Sequence, residues 1–153
     1  MRGPRKMSEN CLSIAYEPED SWHGQLTACV EADGFKGHGS AWFSVDSLRA
    51  FVTAMDALPI SVGSEPKLEG GQWGEKGVEE VHLGLRIVPF DSTGTLQVQC
   101  TFAEPAHSNS SAFTNSLRLA FLIKYGDLQR FRATLAPLLD AKAASAVLHA
   151  RPS

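Results

Sequence analysis

Polar and apolar residues alternate along much of this chain with a period of two, the rhythm of strands that bury one face. Cys11–Tyr16 alternates weakly and predicts a first strand. Gln25–Glu31 alternates better, with Leu26, Ala28 and Val30 on one side. Asp33-Gly34 then supplies a two-residue hairpin turn, and Phe35–Val45 returns as a third strand. Its glycines Gly37 and Gly39 predict a bulge or a close backbone approach. Val78–Phe90 places Val81, Leu83, Leu85 and Ile87 on one side and Glu80, His82, Gly84, Arg86 and Val88 on the other. Asp91–Gly94 is a turn with glycine at the left-handed position. Thr95–Phe102 is the cleanest alternation, with Leu96, Val98, Cys100 and Phe102 opposed to Thr95, Gln97, Gln99 and Thr101. Phe113–Tyr125 gives the last strand, with Leu117, Leu119, Phe121 and Ile123 in register.

Twice the period changes from two to 3.6. Trp42-Phe43-Ser44-Val45-Asp46 leads into Leu48, Phe51, Met55 and Leu58, and Leu122-Ile123-Lys124-Tyr125-Gly126-Asp127 leads into Leu128, Phe131, Leu135 and Leu138. Spacings of i, i+3, i+7 and i+10 make one stripe of an amphipathic helix. The first helix should run from about Asp46 to Leu58, capped by Ser44 or Asp46 and ended by Pro59. The second should start near Asp127 and kink, or stop and restart, at Pro137. Ala141–Ala150 is alanine-rich and predicts a short terminal helix or a frayed tail. The stretch from Ile60 to Lys76 has four glycines and little periodicity and reads as a long loop. Together these elements predict an α+β domain over residues 11–150. It is a twisted antiparallel sheet of about six strands in the order βββα-βββα, with two helices packed on one face.

Composition narrows this picture. At 153 residues, 43% hydrophobic and 20% charged, the chain has the length and balance of one folded domain. Residues 1–10 are basic without an apolar stretch behind them, which reads as a disordered leader rather than a secretory signal. No apolar run is long enough for a membrane helix. Cys11, Cys29 and Cys100 are distant and odd in number; each reads as a small buried thiol in a strand, and a cytoplasmic setting fits them. The net charge of −3 is unevenly spread, with 14 acidic against 8 basic residues in 1–100 and 3 against 6 in 101–153. No basic cluster with interleaved aromatics speaks for nucleic acid. The acidic part would suit a basic protein partner.

Chemistry leaves little trace. His23, His38, His82, His107 and His149 share no metal-ligand spacing, so no metal or cofactor is expected. No serine lies in a G-x-S-x-G elbow, and Gly34–Ser40 lacks the P-loop pattern. Binding residues are therefore sought in three places: Trp73 within the glycine-rich loop, His107 within the 104–112 loop, and the polar sheet face carrying His82, Arg86, Gln97 and Gln99.

The Leu48-x-x-Phe51-x-x-x-Met55-x-x-Leu58 helix, the joint around Trp73, Leu83-x-Leu85, the 91–94 turn into Leu96-x-Val98, and Gly126-Asp127-Leu128-x-x-Phe131-x-x-x-Leu135 form an ordered set. In this set the chain resembles the bacterial immunity proteins paired with wall-associated-protein toxins, across residues 11–140. The resemblance implies a non-enzymatic cytosolic protein that binds and blocks a cognate toxin, and it transfers no binding residue. Two other readings stand beside it: a small-ligand binder or enzyme using the polar sheet face, and a homo-oligomer, such as a dimer, joined through a strand edge.

Overall fold

A computed structural model describes residues 10–57, 59–74, 77–104 and 115–150. Its elements in order are β1 (Cys11–Pro18), β2 (His23–Ala32), β3 (Phe35–Ser44), α1 (Val45–Ala54), β4 (Lys67–Gly74), β5 (Gly77–Pro89), β6 (Thr95–Ala103), β7 (Ser116–Lys124), α2 (Tyr125–Leu139) and β8 (Ala146–His149). The α+β class holds, but the single six-stranded sheet does not. Eight strands form two antiparallel sheets of four, ordered β3-β2-β1-β8 and β4-β5-β6-β7. Periodicity reports which face of a strand is apolar; it does not report the neighbour.

Two of the eight strands were hidden in the sequence. β4 occupies part of the predicted loop, and glycine masks it: a Cβ on Gly70 would lie 2.6 Å from the Phe43 ring and 2.8 Å from the Ala41 Cβ. Glycine is needed there so that β4 can pass close under β3. β8 stands where the sequence predicts a short terminal helix or a frayed tail. Ala146 and Leu148 bury against Ile14 and Leu12 of β1, and this pairing overrides the helix propensity of alanine.

The hairpins follow the sequence closely. Asp33 and Gly34 both take positive φ, 51° and 90°, as a primed two-residue turn requires. Asp91 closes the β5–β6 turn by accepting from the Thr93 and Thr95 amides, with Gly94 at φ 90°. Gly37 and Gly39 mark close approach rather than a bulge, since the β2–β3 register is unbroken. A Cβ on Gly37 would meet Leu117 at 2.5 Å, and one on Gly39 would meet Phe102 at 2.9 Å. The bulges lie instead between β4 and β5, at Gly70/Gly71 and Gln72/Trp73.

Both helices start at the expected corners. Ser44 caps α1 by accepting from the Ser47 amide at 3.1 Å. At α2 the Asp127 carboxylate reaches back to the Lys124 amide at 2.9 Å. The first helix ends at Ala54 rather than near Leu58, which lies outside the described residues. Met55, buried with the stripe, bonds back to the Val52 carbonyl and closes the last turn. The second helix continues through Pro137 to Leu139; so near its end the proline removes one backbone bond and does not stop the helix. Arg49 pairs with Asp140 and Arg132 with Asp56, which sets α1 and α2 antiparallel.

The stripes Leu48/Phe51/Met55 and Leu128/Phe131/Leu135/Leu138 join the inner faces of both sheets in one core. Leu48, Phe51, Leu135 and Leu138 meet Ile14 and Leu26 of one sheet and Leu68 of the other. The helices therefore lie against both sheets instead of covering one face of one sheet. Burying this apolar surface is the main favourable term in folding. No helix among the described residues is long and apolar enough to cross a membrane.

Candidate functional site

Since opposed residues in antiparallel strands share a face, the outer surface of the β3-β2-β1-β8 sheet can be read row by row. Glu17, Gln25 and Trp42 form one row, Ala15, Thr27 and Ser40 the next, Ser13, Cys29 and His38 the third, and Cys11, Glu31 and Lys36 the fourth. No element among the described residues covers this face. Trp42 is 51% exposed although its neighbours Ala41 and Phe43 are in the core. Trp22, just before β2, is 69% exposed.

The turn before β2, next to Trp42, is held by a set of hydrogen bonds. Asp20 accepts from the amides of Trp22 (2.7 Å) and His23 (2.8 Å), which hold its carboxyl below the usual carboxylate range. The amides of Glu19 and Asp20 both donate to the His23 carbonyl. The Trp22 carbonyl accepts from Val45 at 2.7 Å, tying the turn to the start of α1. On the inner side the Tyr16 ring lies over Gly24, where a Cβ would come within 2.5 Å. Burial raises the Tyr16 phenol above its ordinary value. Between turn and sheet is an open slot of about 230 Å³ lined by Glu17, Pro18, Glu19, Gln25 and Trp42.

The sequence-predicted residues are distributed differently. Arg86, Gln97 and Gln99 share the outer face of the second sheet, Arg86 opposite Gln99. Their polar groups are taken up locally. Arg86 bonds Glu65 at 2.7 Å and Gln99 donates to Gln97 at 2.8 Å. Glu65 also accepts from the Gly63 amide, so the Arg86 pair clasps the 61–66 loop to the sheet. The Arg86 guanidinium holds the Glu65 carboxyl below its usual range. His82 also lines an open cleft of about 630 Å³ between β3 and parts of β5, β6 and β7, with Lys36, His38, Ser40, Glu104 and Asn115. Trp73 contributes backbone to β4, opposite Val78; its side chain, and all of His107, lie outside the described residues.

Trp42, Trp22, Glu17 and Glu19 escaped the sequence reading. Alternation around Trp42 gave a signal, since an indole flanked by two core residues in a strand must point outward. The cysteines also differ from expectation: only Cys100 is buried, while Cys11 is half-buried and Cys29 is exposed. Burial pushes the Cys100 thiol up to about 12. Among the described residues no group of three or more His, Cys, Asp or Glu side chains is placed to hold a metal.

Comparison with protein-family models, with curated proteins and with solved structures found no match to this chain.

Proposed function

We propose that this chain is a non-enzymatic binding protein that neutralises a cognate protein toxin, and that the outer face of its β3-β2-β1-β8 sheet meets the partner. The observation that carries the reading is the outward placement of Trp42 on an uncovered sheet face, beside a hydrogen-bonded turn that leaves Trp22 exposed. Tryptophan is enriched among the few side chains that dominate protein interfaces. A rigid anchor also loses little freedom on binding. The resemblance to toxin-immunity proteins gives the partner class.

The test is co-expression with the toxin-like product of the adjoining gene. Relief of growth arrest and a complex that survives size-exclusion chromatography are expected, and Trp42→Leu should weaken both. Absence of any toxin-like reading frame beside the gene, or arrest that persists at full expression, refutes the proposal.

A second reading rests on the cleft, which Lys36, His38, Ser40, His82 and Asn115 line. In that reading the cleft holds a small polar ligand. Thermal-shift screening against polar metabolites checks it, and His38→Ala should abolish any stabilisation found.

A further inference from the structure

We infer that the slot beside Trp42 receives an arginine side chain of a basic protein partner. This rests on the partner-binding reading above and adds the chemistry of the contact. Four observations converge on it. First, the slot combines an aromatic wall with two carboxylates, Glu17 and Glu19. Second, these carboxylates are uncommitted. Among the described residues neither forms an ion pair or side-chain hydrogen bond, whereas Glu31 faces Lys36, Glu65 holds Arg86, and Asp20 is taken up by the turn amides. Third, the turn that presents Glu19 is fixed by its own backbone bonds and by the Trp22–Val45 bond, so the site is formed before any partner arrives. Fourth, Trp42 sits in the same cross-strand row as Glu17, separated by Gln25, so a group lying on the indole is within reach of a carboxylate.

A planar guanidinium suits this arrangement better than an ammonium. It stacks on an indole and forks its N–H donors towards carboxylates, while an ammonium is a compact, strongly hydrated point charge. An anionic group is repelled by both carboxylates, and a purely apolar side chain leaves them without a partner. Gln25 on the slot floor donates towards Ser40 at 3.4 Å and leaves its carbonyl oxygen as a further acceptor.

The probe is a blocked Gly-Arg-Gly tripeptide, with Gly-Lys-Gly and Gly-Glu-Gly as comparisons. The readout is the indole N–H resonances of the three tryptophans in the full chain, assigned with Trp→Phe variants. Gly-Arg-Gly is expected to move the Trp42 resonance saturably and to leave Trp73 unmoved. Gly-Lys-Gly should bind several-fold more weakly, and Gly-Glu-Gly should have no effect. Glu17→Gln should weaken binding about 2- to 5-fold, the scale of one exposed charged contact. Trp42→Leu should abolish it. Both variants should melt with the parent chain, because both side chains face solvent.

A Trp42 resonance unmoved by Gly-Arg-Gly, or moved equally by Gly-Glu-Gly, overturns the inference. So does a concentration-dependent dimer in sedimentation that Trp42→Leu dissolves, because a second copy would then be the occupant. The toxin co-expression assay is read separately. Rescue without peptide binding removes the arginine slot and leaves the partner-binding reading in place. Peptide binding without rescue removes the toxin as the partner and leaves the arginine slot in place.

Discussion

Gly70→Ala should destabilise this protein by an amount that can be worked out from its surroundings. The added methyl would lie 2.6 Å from Phe43 Cζ, 2.8 Å from Ala41 Cβ and 2.9 Å from Phe43 Cε1. Carbon atoms in contact prefer about 3.5–4.0 Å, so the overlap is roughly 1 Å. Ala41 Cβ is fixed to the β3 backbone and cannot turn away. Phe43, only 4% exposed, has little room to rotate. Either β4 moves off β3 or the Phe43 ring leaves its rotamer, and overpacking of this kind costs about 1–3 kcal/mol. Gly70 does not need positive φ, so alanine also recovers about 0.4–1 kcal/mol by restricting the unfolded chain. The net loss is about 1–2 kcal/mol, which for a chain of this size lowers Tm by roughly 3–8 °C. Urea unfolding followed by far-UV circular dichroism should show a lower midpoint at unchanged slope. In an Ala41→Gly background the cost of Gly70→Ala should shrink, giving a coupling of about 0.5–2 kcal/mol in a double-mutant cycle. A Gly70→Ala chain as stable as the parent, or strictly additive variants, would show that the two sheets do not meet tightly at this crossing.

Three further outcomes are expected. Because Arg86 holds the Glu65 carboxyl low, the stability this pair contributes is present above the ordinary glutamate pKa. It is lost as pH falls through the lowered value. Glu65→Gln should therefore flatten the drop in urea midpoint from about pH 5 downward, and an unchanged acid limb would refute the clasp. An aromatic disulfide reagent at mildly alkaline pH should modify Cys29 first and reach Cys100 only on unfolding, since that thiol is 1% exposed and pushed up to about 12; three thiols reacting at one rate would contradict the packing. Asp127→Ala, which removes a 4%-exposed carboxylate from the Lys124 amide at the start of α2, should cost about 1–3 kcal/mol in urea unfolding, with Asp127→Asn nearer the parent.

Of the candidate site, the sequence showed the polar face but not its state. Arg86, Gln97 and Gln99 were placed together by parity alone, and parity could not show that Glu65, 21 residues upstream of Arg86, occupies the guanidinium. His82 shares that parity, and nothing in the pattern shows that it lines a cleft together with His38 of the other sheet. In the sequence Glu17 and Glu19 flank Pro18, 25 and 23 residues before Trp42. Their relation to Trp42 exists only because β2 lies between β1 and β3.

The sequence by itself determined what short-range physics controls. The Asp33-Gly34 and Asp91–Gly94 turns, the inward sets of β2, β5, β6 and β7, and the two corners with their helix stripes all follow from period, turn chemistry and capping. Tertiary structure decided the rest. Ala146–His149 became a strand because β1 offered an open edge and a place to bury Ala146 and Leu148. Lys67–Gly74 became one although glycine erased its apolar pattern, because the neighbouring sheet left no room for side chains at Gly70. Strand order turned one expected sheet into two and brought Trp42 into line with Glu17. Hydrogen bonding between strands is blind to sequence distance, and a single chain's pattern carries no record of which edges will meet.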